Sequence, residues 1–277
     1  MTQTIFKDQL FKDQVAVVTG GGSGIGLRTA CEFALLGATV VIGSRDPQKL
    51  EQGAAAIAAT GGKVHALSLN IRDPESVNTF VDQTLERCGK IDHLVNNAGG
   101  QFPSPAEQIS PKGWKAVVDT NLNGTFFMSQ AVYNKAFSDH GGAIVNVIAN
   151  MWNGFPNMAH TGAARAGVDN LTKTLAVEWG RSGVRVNAVA PGAIYSSGIK
   201  TYDPEFQKFF LQAGAHNQTY RLGSEAEVAA SILFLCSPAA NFISGATLRV
   251  DGAESLPNAR FAPVDHGRLP AWDDEDL

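Results

Sequence analysis

The sequence predicts an α/β protein: a single doubly wound domain with a seven-stranded parallel sheet and helices on both faces. Three observations carry that prediction. Short apolar runs rich in β-branched residues alternate along the chain with segments of helical periodicity. The spacing from each run to the next suits a right-handed strand–helix–strand crossover. A glycine-rich turn stands between the first run and the first helix, and no internal repeat or second hydrophobic pattern follows it. At 277 residues the chain is long enough to bury one full core.

The first strand, Val15 to Val18, has the pattern of a strand buried on both faces. Thr19 to Ser23 turn the chain, and Gly24, Ile25 and Gly26 open a helix that carries Ala30, Phe33, Ala34 and Leu36 as far as Gly37. Gly20, Ser23, Gly24 and Gly26 leave backbone N–H groups free and few Cβ atoms to keep a pyrophosphate away. The second strand, Ala38 to Ile42, runs into Gly43, Ser44 and Arg45. Asp46 and Pro47 supply a cap and a first helical residue for a helix to about Thr60. Gly61 and Gly62 break it, and Lys63 to Leu69 form the third strand, ending at Asn70 and Ile71. Asp73 and Pro74 repeat the start signal for a helix with Val77, Phe80, Val81 and Leu85 at helical spacing.

Ile91 to Val95 is the fourth strand, followed by the loop Asn96 to Gly100. Ser110 and Pro111 open one long helical stretch from about Lys112 to Phe137. Ala143 to Ile148 is the fifth strand. A helix from Thr161 to Gly180 places Ala164, Val168, Leu171, Leu175 and Val177 on its apolar side. The sixth strand, Val184 to Val189, ends at Pro191 and Gly192. Residues 196–222 read as an inserted, partly helical lid. Ser224 and Glu227 make a capping box for a helix to about Ser237, and Ala246 to Val250 is the seventh strand. The domain is expected to span 1–252, with 253–277, rich in Pro and Asp, as an exposed extension.

Composition excludes several classes. Lys and Arg number 22 against 26 Asp and Glu, a net charge of −4, so no general field draws the protein to nucleic acid or an anionic membrane. No apolar run approaches the roughly 20 residues that cross a bilayer, and Met1 to Gln14 lack a signal-peptide core. Cys31, Cys88 and Cys236 are odd in number and far apart, as free thiols of a reducing compartment are. The histidines show no metal-binding spacing, and no metal is expected.

The end of the second strand decides which nucleotide the glycine turn would hold. An acidic side chain there binds a ribose diol and repels a 2′-phosphate. Here Ser44 is followed by Arg45, whose guanidinium can fork onto phosphate, and the expected cofactor is NADPH. A solvated loop arginine is the plainer alternative.

Taken together, Thr19 to Gly26, Asn96 to Gly99, Asn121 within Asp119 to Leu122, and Pro191-Gly192 resemble the short-chain dehydrogenase/reductase family over roughly residues 10–252. The resemblance implies a Rossmann-type fold and an oxidoreductase. It implies that Asn97, Ala98 and Gly99 line the adenosine and ribose side and that Asn70 and Ile71 meet the adenine. Pro191, Gly192, Ile194 and Ser196 would border the nicotinamide. It further implies a homotetramer or homodimer that pairs the helices near 112–137 and 161–180 across subunits.

The catalytic positions depart from the family pattern of Ser on strand five and Tyr-x-x-x-Lys on the next helix. Aligning Arg165 to Val168 with that pattern puts Thr161 at the tyrosine, Arg165 at the lysine and Ile148 at the serine. Reducing a ketone calls for an acid whose proton follows the hydride onto oxygen, and threonine is a far weaker acid than a phenol. Two branches tolerate the loss, the 2,4-dienoyl-CoA reductases and the peroxisomal-type trans-2-enoyl-CoA reductases. The chain resembles the second in Asn97 to Glu107, His160 to Gly167 and Ala190 to Ser196.

The resemblance implies reduction of the C=C bond of an acyl-CoA-type substrate, in fatty acid metabolism. Hydride goes to Cβ, charge develops on the thioester oxygen, and a donor for that oxygen and a proton for Cα are required. Asn121, Thr161 and Arg165 are placed to serve the oxygen and the nicotinamide ribose. The proton donor stays open among Tyr195, His160 and a bound water; Asn150 lies nearby and is no acid. His160 reads more readily as structural, and Tyr195 equally as a lid-packing aromatic. Phe206, Phe209, Phe210 and Leu211 suit an acyl chain or simply pack the lid. A carbonyl reductase with a rearranged proton relay, and a cofactor-binding protein with little turnover, remain as alternatives. The chain ends at Glu275, Asp276 and Leu277 instead of the Ser-Lys-Leu peroxisomal address, and a cytoplasmic location is expected.

Overall fold

The structure is a computed structural model and describes residues 4–196, 198–199, 202–256 and 260–271. Parts of the expected lid (197, 200–201), the side chain of Phe209, and parts of the expected extension (257–259, 272–277) lie outside the described residues.

Seven strands form one parallel sheet: β1 (Val15–Thr19), β2 (Thr39–Ser44), β3 (Lys63–Ser68), β4 (His93–Asn96), β5 (Gly142–Val147), β6 (Val184–Pro191) and β9 (Thr247–Val250), in the order β3-β2-β1-β4-β5-β6-β9. Each neighbouring pair is parallel. The order reverses between β1 and β4, which opens a crevice at the carboxyl ends of those strands. β1 is buried at every position, as its unbroken apolar run requires.

On one face α1 (Gly24–Leu35), α2 (Pro47–Ala59) and α9 (Glu225–Cys236) cover a core that includes Phe33, Ile57, Val40, Ile42 and Ile232. On the other, α3 (Pro74–Cys88), a long helical rod and α7 (Ala159–Trp179) cover Phe80, Leu94, Phe137, Ile144 and Leu175. Asp46, Asp73 and Ser110 cap their helices with side-chain acceptors, and Ser224 and Glu227 form a reciprocal capping box.

Three features differ from the periodicity reading. The stretch expected as a plain helix over 112–137 is a rod of α4 (Pro111–Val118), α5 (Gly124–Val132) and α6 (Ser138–His140), with π-helical turns at Asp119–Asn123 and Tyr133–Phe137 between them. Val177 does not face the core: it is 83% exposed. It lies about 200° round the helix from Leu175, and Trp179 takes the inward place. The ends of the lid also pair. β7 (Ile194–Tyr195) and β8 (Gly223–Ser224) form a small parallel sheet, so the segment between them, with α8 (Pro204–Leu211), leaves and re-enters the fold at adjacent points.

The expected boundary at 252 falls inside a turn. Ala253 to Ser255 fold back against the domain, with Ser255 buried, and it is from Leu256 onwards that exposed residues predominate among the described ones.

Candidate active site

Backbone geometry builds one half of the site. Gly20 and Gly24 sit at φ +67 and +61, a conformation that costs glycine little and other residues much. A Cβ on Gly26 would lie 2.3 Å from Asn97 Nδ2 and 2.5 Å from the Gly20 oxygen, so the loop after β4 could not come in if Gly26 were larger. Thr19 Oγ1 accepts the N–H groups of Asn97 (3.0 Å) and Ala98 (2.9 Å). Asn97 Nδ2 donates to the Thr19 oxygen at 3.0 Å, so its amide pins the two loops together. Ser23, at the N-cap of α1, makes no side-chain hydrogen bond to the helix, and Ile25 packs against the core just inside it. The first N–H groups of α1 are left for a ligand.

That turn opens on a cavity of about 470 Å³ lined by Gly20, Ser23, Asn97, Ala98 and Gly99 and, at its far end, by Ser44, Arg45, Asn70 and Ile71. Lys49 and Arg72 join Arg45 there. Asp46 lines the same end and is tied to the helix it caps, its Oδ1 accepting the N–H groups of Gln48 (3.0 Å) and Lys49 (3.3 Å). An uncapped helix start at one end and a ring of cations at the other fit a dinucleotide that carries an extra phosphate on its adenosine ribose. Asn70 closes its own turn, with Oδ1 accepting from Arg72 N–H at 3.3 Å, while Ile71 is buried against Gly124.

Side chains build the other half. Asn121 stands in the first π turn and is fully buried. Its Nδ2 donates to the oxygens of Gly100 (2.7 Å) and Val117 (2.9 Å). The π turn thus exchanges a regular helical bond for an amide that reaches the loop after β4. Arg165 reaches the same loop from α7. A Cβ on Gly99 would lie 2.5 Å from Arg165 Nη2 and 2.8 Å from Asn121 Oδ1, so only glycine fits between them.

Arg165 Nη1 donates to the Val147 oxygen at 2.7 Å, and its Nε is buried without a partner. Burial lowers its pKa to about 10, which leaves it charged at neutral pH. Among the described residues no carboxylate pairs with it. Thr161, one helical turn earlier, is fully buried. Its N–H donates to His160 Nδ1 at 2.8 Å, and its hydroxyl lies 3.2 Å from the same nitrogen. His160 is fully buried beneath Phe102, edge to face at 4.5 Å, and burial pushes its pKa down, so the ring stays neutral. Ile148 lies in a small apolar cluster with Val168, Ala188 and Ala190.

Pro191, Gly192 and Ala193 turn the chain at the end of β6, next to the loop after β5: Asn150 N–H donates to the Pro191 oxygen at 3.0 Å. Ile194 is buried, Ser196 half-buried, and Tyr195 is 59% exposed. The structure therefore brings Asn121, Arg165, Gly99 and Gly100 into contact, sets Thr161 against His160, and leaves Tyr195 facing outwards. Glu254 joins this region unannounced, since its Oε2 accepts the Ala193 N–H at 3.3 Å. No periodicity marks it; the one available signal is an acid three residues beyond Asp251, which follows the last strand. Lys49 and Arg72 were equally silent, being exposed helix and turn residues in sequence.

A family model described as enoyl-(acyl carrier protein) reductase matches residues 20–253. A peroxisomal 2,4-dienoyl-CoA reductase, (3E)-enoyl-CoA-producing, of Rattus norvegicus is 43% identical over 96% of this chain and 90% of its own. Its counterpart in Danio rerio is 41% identical over 92% of this chain and 86% of its own. Among solved structures, a citronellol catabolism dehydrogenase (AtuB) of Pseudomonas aeruginosa superposes with a TM-score of 0.83 at 49% identity, covering 92% of this chain and all of that one.

Proposed function

The chain belongs to the short-chain dehydrogenase/reductase family, and on that footing we propose that it is an NADPH-dependent reductase of a carbon–carbon double bond conjugated to an acyl-CoA thioester. One observation carries the reading: Arg165 is a buried cation with no carboxylate partner among the described residues, one turn from a threonine where carbonyl chemistry needs a phenol. Burying a lone charge is costly unless something anionic meets it. Reduction of a conjugated thioester develops that charge, on the thioester oxygen, at the moment of hydride transfer. The names of the relatives favour 2,4-dienoyl-CoA, whose reduction to a (3E)-enoyl-CoA takes its proton at Cα, as reduction of a trans-2-enoyl-CoA does.

The residues divide the work. The N–H groups from Gly20 to Gly26 hold the pyrophosphate, and Arg45, Lys49 and Arg72 hold the ribose phosphate. Asn97, Ala98 and Gly99 form the ribose wall, Asn70 and Ile71 the adenine edge, and Pro191, Gly192, Ile194 and Ser196 the nicotinamide edge. When bound, the reduced nicotinamide supplies the hydride. Arg165 opposes the growing negative charge and keeps its own proton throughout. Asn121 fixes the Gly99-Gly100 loop against it, and the Thr161 hydroxyl offers a second donor to the oxygen. Tyr195 guards the mouth of the site from the lid's base.

No helix is long and apolar enough to cross a membrane among the described residues, and the free cysteines support a reducing, cytoplasmic setting. Val177 and Trp114, exposed on α7 and α4, support pairing of those helices between copies; light scattering on the purified protein would return a dimer or tetramer mass.

The function is tested by following NADPH and NADH consumption with crotonyl-CoA, a 2,4-dienoyl-CoA and a 3-oxoacyl-CoA, beside citronellol oxidation as the reverse carbonyl reaction. The expected result is NADPH-dependent loss of the conjugated substrates. Brisk ketone or alcohol turnover with inert enoyl and dienoyl thioesters would overturn the reading in favour of a carbonyl enzyme, the chemistry to which the name of the Pseudomonas aeruginosa relative points.

A further inference from the structure

Reduction of a conjugated thioester leaves an enolate that must be protonated at Cα, and the residues already described are poor sources of that proton. Thr161 is too weak an acid, and Arg165 keeps its charge. His160 is sealed beneath Phe102 with its Nδ1 engaged. Tyr195 points largely to solvent.

Glu254 stands where a proton is needed. Its Oε2 accepts the Ala193 N–H at 3.3 Å, and a Cβ on Gly192 would come within 2.7 Å of the same oxygen. The carboxyl therefore rests on the turn that borders the nicotinamide in the reading above. Asn150, whose own N–H is tied to Pro191, hydrogen-bonds the Glu254 side chain, while its Oδ1 is buried without a partner.

The turn that presents Glu254 is braced. Asp251 accepts the N–H groups of Ala253 (3.0 Å) and Ser255 (3.1 Å), and Ala253 holds the left-handed conformation at φ +66. Asn153 donates to the Ser255 oxygen, and Arg249, stacked over Trp152 at 3.9 Å, donates to Ser255 Oγ.

We propose that the Glu254 carboxyl is the proton source of this site, giving its proton to Cα once hydride has reached the alkene. The inference rests on the C=C reductase reading. In the step, the carboxyl O–H bond breaks, the enolate's electron pair forms the Cα–H bond, and NADPH is the species oxidised. The carboxylate that remains is held by the Ala193 N–H and Asn150, and, being only partly buried, it regains a proton from solvent.

Burial raises the pKa of Glu254 above the ordinary glutamate value, and the nearby Asp251 charge adds to the rise; the Ala193 and Asn150 hydrogen bonds and the charge of the exposed His216 oppose it. Arg249, the remaining charge beside this turn, is engaged with Trp152 and Ser255.

The test uses the unmodified protein, Glu254→Gln and Glu254→Asp. Without any ligand, denaturant melts across pH report the titration itself. A carboxyl raised on folding contributes stability below its unfolded pKa and loses it as pH climbs through the folded value. The unmodified protein should therefore lose ground to Glu254→Gln as pH rises from about 4.5, the ordinary glutamate value. NADPH binding, read by tryptophan quenching, should be equal in both. With crotonyl-CoA, Glu254→Gln should lose about 100-fold or more in kcat, and the alkaline limb of the pH profile should vanish with it.

Equal kcat in Glu254→Gln, or an unchanged limb, overturns the proton assignment while the function stands. An unmodified protein that reduces only ketones overturns both. Should Glu254→Gln fold poorly, Glu254→Asp decides: it keeps an acid, so activity with a displaced limb supports the assignment and an unmoved limb ends it.

Discussion

The proposed nucleotide half and the proposed substrate half of the site are made of different material. The first is backbone: an uncapped helix start, glycines in the left-handed region, and a loop drawn in by Thr19 and Asn97. The second is side chain, gathered from the π turn at Asn121, the start of α7, the loop after β5 and the turn after β9. Backbone sites tolerate almost no added atoms. Side-chain sites tolerate exchange, provided the charge and the proton are still supplied. The difference explains how one scaffold keeps its cofactor while its chemistry moves.

Gly26→Ala should break the first half outright. Its methyl would meet Asn97 and the Gly20 carbonyl, at a cost of about 1–3 kcal/mol of stability, and quenching of tryptophan by NADPH should disappear. Arg165→Met should sharpen the contrast. Loss of one charge-stabilising donor is expected to lower kcat with enoyl-CoA by about 10²–10³-fold, while NADPH still quenches. Arg45→Ala combined with Arg72→Ala should weaken NADPH but not NADH, each lost charged contact being worth about 1.5–3 kcal/mol, as competition between the two cofactors would show. Thr161→Val should matter least, removing a hydroxyl contact worth about 1 kcal/mol. A drop in kcat of two orders or more would make Thr161 itself an acid and erase the distinction between the halves.

Legibility in the sequence follows the same division. The strands and the cofactor turn were readable because a central buried parallel strand such as β1 must be apolar throughout and a phosphate turn must be glycine, so composition records the geometry. Asn121 could be named, but the π turn that aims it could not, since a π turn has the same hydrophobic spacing as its flanking helix to within a residue. Val177 misled because an apolar residue on a helix says nothing of which subunit or solvent it meets. Glu254 was invisible for a physical reason: a polar side chain becomes chemistry only when distant backbone surrounds it, and Ala193 lies 61 residues away.

The pairing of β7 with β8 fastens the two ends of the lid to each other. A segment closed at its base can grow at slight expense to the whole, since doubling a loop adds only about 0.6 kcal/mol of closure entropy. The lid can therefore be recut by insertion and deletion without moving the strand ends from which it springs.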